Sequence, residues 1–109
     1  MRKLAVYFNE HKSGILTEKD PGRNYIFTYE HDYLIKDFPA ISLTLPKRKE
    51  PYQSNNLFPF FTNLLPEGAN RKVICAKRHI DENDLFGILT VIANNDFIGA
   101  VHLKTITND

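Results

Sequence analysis

The side chains of this 109-residue chain that could hold a metal or move a proton are 4 histidines, 1 cysteine and 13 carboxylates. His11, His31, His79 and His102 stand far apart, and none forms a ligand-spaced pair. A metal site would need two or more of them to converge with Cys75 or carboxylates in the fold, so neither metal nor cofactor is expected. Cys75 lies between Ile74 and Ala76 in a helical pattern. Arg71, Lys72 and Arg78 put positive charge nearby, but spacing supplies no base, and the reading is a small core thiol rather than a nucleophile. Most carboxylates fall in turn or cap contexts, where Asp serves the backbone. Glycines 14, 22, 68, 87 and 99 never cluster, so no loop of backbone N–H groups is available to cradle phosphates. Nothing here builds a catalytic constellation, which leaves binding as the expected work of the chain.

Two basic concentrations stand out. Lys47-Arg48-Lys49 occupies a polar loop with Tyr52 close behind, and Arg71, Lys72, Lys77 and Arg78 share a helix face. Lys47, Arg48 and Lys49 would be the nucleic-acid contacts if the two groups merged into one stripe. Cations in the last turn of a helix also answer its dipole, and 14 Lys and Arg against 13 Asp and Glu give no net field for a polyanion. Direct DNA contact is therefore not expected. The densest apolar segment runs from Leu57 to Leu65. Phe60 and Phe61 fit its helical stripe, whereas Phe58 falls off it. Phe58 is either an exposed interface anchor or a ring packed on the sheet edge.

The elements that must position these residues can be read from periodicity. Leu4, Val6 and Phe8 alternate as a strand, Asn9-Glu10-His11-Lys12 reads as a turn, and Gly14-Ile15-Leu16 begins the returning strand. Asp20-Pro21-Gly22 is a turn, followed by a strand carrying Tyr25, Phe27 and Tyr29. His31 to Lys36 reads as one helical turn with Tyr33 and Leu34. Ile41, Leu43 and Leu45 read as a further strand ended by Pro46, and 46–54 as an extended polar loop. Leu57, Phe60, Phe61, Leu64 and Leu65 then predict a helix with Pro59 in its first turn. Ala69, Val73, Ala76 and Ile80 predict the inner face of a second. Leu85, Ile88, Leu89 and Ile92 predict the inner face of a third, capped by Asp81 and closed by Asn94 and Asn95. A final strand is expected from Ile98 to about Ile106, with residues 107–109 frayed.

Strands, then helices, then a strand predict an α+β domain over 1–109: a small, strongly twisted, barrel-like antiparallel sheet of about five strands, with about three helices in the second half. A chain of this length buries roughly 65% of its unfolded surface, enough for one core. Hydrophobic residues at 42% and charged residues at 25% are ordinary for a globular protein. The lone cysteine fits a reducing compartment, and the apolar run Leu4–Phe8 is too short for a signal peptide or membrane span. A cytoplasmic protein without membrane contact is expected.

Several segments in order resemble one family: Gly14-Ile15-Leu16, Ile41-Ser42-Leu43-Thr44-Leu45-Pro46, Leu57 to Phe61, Asn63-Leu64-Leu65-Pro66-Glu67-Gly68, Asn70-Arg71, Asp84-Leu85-Phe86-Gly87-Ile88-Leu89 and Asp96-Phe97-Ile98-Gly99-Ala100-Val101. From about Leu4 to Leu103 the chain is similar to the N-terminal domain of HipA-type serine/threonine kinase toxins. Asn94 stands where the family often has glycine, and Asn tolerates the same left-handed backbone. No residue here corresponds to a catalytic aspartate, a metal-binding aspartate or a phosphate loop, so the resemblance implies an accessory domain without kinase activity. A chain of this length that ends at Asp109 resembles the stand-alone, HipS-like form of the domain. The resemblance then implies a regulatory subunit, an antitoxin, that binds a separately encoded HipA-like kinase beside a helix-turn-helix repressor. The alternative is an obligatory piece that completes a split kinase or helps assemble its repressor–DNA complex. Contacts are expected at Phe58, Thr62, Asn63, Pro66, Glu67, Gly68 and Arg71, where Pro66 and Gly68 shape the backbone and Glu67 and Arg71 offer charge at a rim.

Overall fold

The computed structural model describes residues 1–93 and 100–106. Three long strands come first: β1 (Arg2–Phe8), β2 (His11–Asp20) and β3 (Arg23–Tyr29). Helix α1 (His31–Leu34), strand β4 (Tyr52–Ser54) and helices α2 (Pro59–Thr62), α3 (Gly68–Arg78) and α4 (Leu85–Ile92) follow, and β5 (Val101–Thr105) ends the described chain. The antiparallel sheet has the order β4-β3-β2-β1-β5. It is the expected α+β architecture, with an open rather than closed sheet.

The first hairpin turns over Asn9-Glu10, with Phe8 opposite His11 and Asn9 left-handed at φ 52°. The returning strand thus begins at His11, three residues before the expected Gly14. A bulge then shifts the register between Val6 and Tyr7. Ser13 is fully buried there, and its hydroxyl donates to the Val6 carbonyl at 2.9 Å. Beside it, a Cβ on Gly14 would collide with the Thr28 carbonyl oxygen on β3 and stand 2.8 Å from Cζ of Phe27, so only glycine lets β3 and its ring pack this closely on β2. The β2–β3 hairpin turns on Pro21-Gly22, as its composition predicts, with Gly22 at φ 74°.

Alternation does what period-2 patterning requires. Leu4, Val6, Leu16, Tyr25, Phe27, Tyr29 and Leu103 are buried and form one core with Phe61, Phe86, Ile88 and Leu89 from the helices. The third predicted helix is α4, with Ile88 and Leu89 inward as expected. Its cap is not Asp81. The Asp84 carboxylate accepts from the Gly87 N–H at 3.1 Å, while Asp81 accepts from the Asn83 N–H at 2.8 Å, one loop earlier. The expected closing residues Asn94 and Asn95, and the strand start at Ile98, lie outside the described residues, as does the 107–109 tail.

Three further expectations are corrected. Ile41, Leu43 and Leu45 do not form a strand. The Leu45 N–H donates to the Ser42 carbonyl at 3.1 Å, and the Ser42 hydroxyl takes the Thr44 N–H at 3.2 Å, which closes a turn. The polar stretch 46–54 is not all loop, because Tyr52–Ser54 adds to the edge of the sheet beside Tyr25–Phe27. On α3 the inner ridge is not Ala69, Val73 and Ala76. Val73 is 51% exposed, and Cys75 is the buried residue, flanked by half-buried Arg71 and Ile74. The Arg71 guanidinium donates through Nε to the Pro66 carbonyl at 3.0 Å, which turns that edge of the helix toward the protein.

One ion cluster ties the sheet to α4. Glu18 is only 3% exposed. It accepts from Arg2 Nε at 2.8 Å, from the Gly22 N–H at 3.2 Å and from the Tyr25 hydroxyl at 3.2 Å. Arg2 also grips Asp84 with both terminal nitrogens, at 3.2 and 2.7 Å. A buried carboxylate is tolerated because every interaction it lost to water is replaced.

The Arg2 hydrogen bonds hold the Asp84 carboxyl below its usual range against the opposing effect of burial. A carboxyl that is more acidic in the fold stabilises it above the unfolded value of about 3.9, and that stability is lost as pH falls through the folded value. Asp84→Asn should cost about 1 kcal/mol at pH 7, a figure discounted for solvent screening; the Asp84 side chain is 35% exposed. Urea unfolding at pH 7 and at pH 3 checks this, since the gap between the two proteins should narrow at the lower pH.

Candidate functional site

Helix α2 is a single turn, shorter than its apolar stripe suggests. Pro59 stands at its start, as predicted, and Asn63 caps its end. Phe61 is fully buried, with Leu57 and Leu65 beside it in the core, and Phe60 packs half-exposed against them. Phe58 is buried too, at 8% exposure, with its ring 6.3 Å from that of Phe61. It belongs to the core, and the reading of it as an exposed anchor is overturned. Its position off the helical stripe misled, because a residue just before so short a helix is not bound by that helix's periodicity.

The rest of the expected contact segment lies at the surface. Thr62 and Asn63 are exposed, and the Thr62 hydroxyl donates to the Phe58 carbonyl. Pro66 and Arg71 are half-buried and joined by the hydrogen bond described above. Glu67 and Gly68 are exposed at the start of α3, and Gly68 has φ 57°, a conformation that disfavours any residue with a Cβ. The segment 62–71 is therefore an exposed, fixed corner rather than a loose loop.

The basic loop is less free than its composition suggests. Lys47 Nζ donates to the carbonyls of Lys36 and Phe38 at 2.7 and 2.9 Å and lies over the Tyr33 ring. Arg48 donates to the carbonyls of Glu50 and Pro51 and stacks 3.6 Å from the Tyr52 ring centroid. Two of the three cations considered for a phosphate backbone thus serve backbone carbonyls of the protein itself, Lys47 those just after α1 and Arg48 those within its own loop.

Sequence reasoning missed the stretch between α1 and β4. It has little secondary structure, yet side chains staple it repeatedly. The Tyr29 hydroxyl accepts from the Ile41 N–H at 3.1 Å and donates to the Leu45 carbonyl. The Tyr33 hydroxyl donates to the Pro39 carbonyl, and the Tyr52 hydroxyl to the Pro46 carbonyl at 2.6 Å. Leu43, at the tip, is fully exposed. The available signal was Ser42 and Thr44 around Leu43 between two prolines, a turn composition that competes with strand alternation.

Cys75 is buried, and burial pushes its thiol up, away from a reactive thiolate. Among the described residues no group of three or more His, Cys, Asp or Glu could hold a metal ion, and no helix is long and apolar enough to cross a membrane. The described fold is one helix-backed sheet with a fixed corner and a stapled loop at its surface.

The family model of the HipA N-terminal domain matches residues 4–104. An "uncharacterized protein" of Haemophilus influenzae is 35% identical over 104 residues, which are 95% of this chain and 92% of that protein. A solved structure described as the N-terminal domain of HipA toxin superposes with a TM-score of 0.72 at 28% identity, covering 100% of this chain and 96% of that one. This chain belongs to the HipA N-terminal domain family. That family is an accessory part of HipA proteins and not their kinase core.

Burial raises the hydroxyls of Tyr25 and Tyr29 to about 12, with the Glu18 charge adding to the effect at Tyr25. Each is less acidic in the fold than the unfolded value of about 10, so their stabilisation is complete below that pH and lost as pH rises toward 12. Phenolate absorbance and circular dichroism recorded together should show part of the tyrosine titration arriving with unfolding between pH 10 and 12. Simple titration of all 5 tyrosines near pH 10 would contradict the stapled loop.

Proposed function

We propose that this domain is a non-catalytic regulatory subunit that binds a separately encoded HipA-like serine/threonine kinase toxin and neutralises it as an antitoxin. The observation that carries the reading is the family match across residues 4–104. The Haemophilus relative adds support, because the matched region is 92% of its length and leaves it little beyond this domain. A protein made almost entirely of an accessory domain works by meeting a partner.

The surface from Thr62 to Arg71 suits that role. Its exposed side chains stand on a backbone already held by the Phe61 core contact, the left-handed Gly68 and the Arg71–Pro66 hydrogen bond. A fixed surface loses little conformational entropy on binding, so more of each contact is kept as affinity. Thr62, Asn63, Pro66, Glu67, Gly68 and Arg71 are the proposed contacts, and Phe58 acts from beneath by holding α2. A cytoplasmic setting follows from the kinase partner. The same surface could instead complete the kinase or help build its repressor assembly, and the sign of the effect on kinase activity separates these readings.

Co-expression with the HipA-like kinase of the same cells tests the proposal. A stable complex with suppressed autophosphorylation and restored growth is the expected outcome. Raised phosphorylation favours the completing role, and no complex overturns the proposal. The double substitution Thr62→Arg, Glu67→Arg should weaken the complex about tenfold or more, as measured by biolayer interferometry, while the domain stays folded and melts only a few degrees lower, the loss expected from the Thr62–Phe58 hydrogen bond and a cation at the start of α3.

A further inference from the structure

The loop between α1 and β4 is held by many side-chain hydrogen bonds and exposes two large apolar side chains, Ile35 where it leaves α1 and Leu43 at its stapled tip. Tyr29, Tyr33 and Tyr52 spend their hydroxyls, and Lys47 its ammonium, on carbonyls of Leu45, Pro39, Pro46, Lys36 and Phe38. Leu45 and Ile41, on either side of the tip, are buried, whereas Leu43 between them is fully exposed. The Ser42 and Thr44 hydroxyls, 2.9 Å apart, bracket it and close the turn beneath it. Surface leucines are ordinary where the backbone is loose or the side chain lies flat. Here a fixed turn lifts the whole side chain into water.

We infer that this loop is a preformed docking element whose Leu43 side chain enters an apolar pocket on the kinase-fold partner. The inference rests on the proposed function for the identity of that partner, and it adds a contact outside residues 58–71. Two features point to this occupant. The tip residues Ile41 to Pro46 carry no charge, which suits an apolar protein pocket and offers nothing to a phosphate backbone. The loop is also built on the same ring stack as the Thr62–Arg71 corner. Tyr29, which clamps the loop, packs 4.8 Å from Phe27, and Phe27 packs 5.8 Å from Phe61 of α2. One partner surface could therefore meet both.

Burying a leucine side chain in such a pocket corresponds to about 10- to 100-fold in affinity. Calorimetric titration of the kinase with the full chain and with two Leu43 variants tests the inference. Leu43→Glu should bind at least tenfold more weakly while melting at the unchanged temperature, since a fully exposed side chain contributes little to the fold. Leu43→Met should stay within about threefold, because the pocket keeps an apolar occupant. Tyr29→Phe provides a second line: it removes the clamp but leaves Leu43, and should weaken binding while speeding amide exchange at residues 41–45. If the unaltered chain binds the kinase and Leu43→Glu binds equally well, this inference fails and the proposed function stands. If the unaltered chain does not bind the kinase, both fail. If Leu43→Glu instead dissolves a homodimer in light scattering and leaves kinase affinity intact, a second copy is the occupant and the inference is overturned.

Discussion

The inward face of β3 sets the arrangement of everything beyond the sheet. Phe27 and Tyr29 sit in a run of aromatic rings that continues through Phe61 on one side and through Tyr33, Phe38 and His11 on the other. Phe27 of that run and the Thr28 carbonyl beside it leave no room for a Cβ on β2 at Gly14, which lies opposite Tyr29. Tyr29 reaches out of the apolar core, using its hydroxyl as both acceptor and donor to hold the turn at Ser42–Leu45, and Tyr33 beside it holds the Pro39 carbonyl. Buried tyrosines demand a hydrogen-bond partner, and here the partner is a stretch of chain with almost no ladder of its own. The rings thus do two jobs: they fill the core, and they fix two surface segments relative to each other.

A second constraint works at the far end of the sheet. Glu18 is buried, so its charge must be answered from inside the protein, and Arg2 answers it while also holding Asp84 at the start of α4. Burial of such a cluster is weak evidence for added stability, because desolvation offsets much of the attraction. Its effect is positional: β1, β2 and the last helix can meet in only one register. This cluster has no place in a catalytic account, since each of its charges is already spent on another.

Period-2 alternation made β1 to β3 legible in the sequence, because one face of each is buried and a single-residue slip would expose it. The turn at Pro21-Gly22, the start of α2 at Pro59 and the inner face of α4 were legible for similarly local reasons. What failed was mostly non-local. Leu43 alternates with Ile41 and Leu45 as a strand residue would, but Ser42 closes a local turn around it and the Tyr29 hydroxyl, distant in sequence, holds both flanks of that turn. Phe58 stayed open between an exposed anchor and a packed ring because its helix was taken to be longer than one turn, and its burial favours the packed ring. The inner edge of α3 is set by Arg71 reaching back to Pro66, which apolar spacing cannot report. The order of short motifs carried the family resemblance where individual elements were misread. The corner at Pro66-Glu67-Gly68 was found through that resemblance and through its turn residues, whereas the exposed tip at Leu43 was not.

The resulting picture is of a domain whose described core is built from packed rings and one ion cluster, with two surface segments held fixed, which are the segments the proposed function gives to a partner. Amide hydrogen exchange of the chain, alone and with the HipA-like kinase, tests this most directly. The account predicts strong additional protection on binding at residues 62–71 and 41–45, with the three long strands unchanged because they are already protected. Protection elsewhere with these two segments unaffected, or no change on adding the kinase, would contradict it.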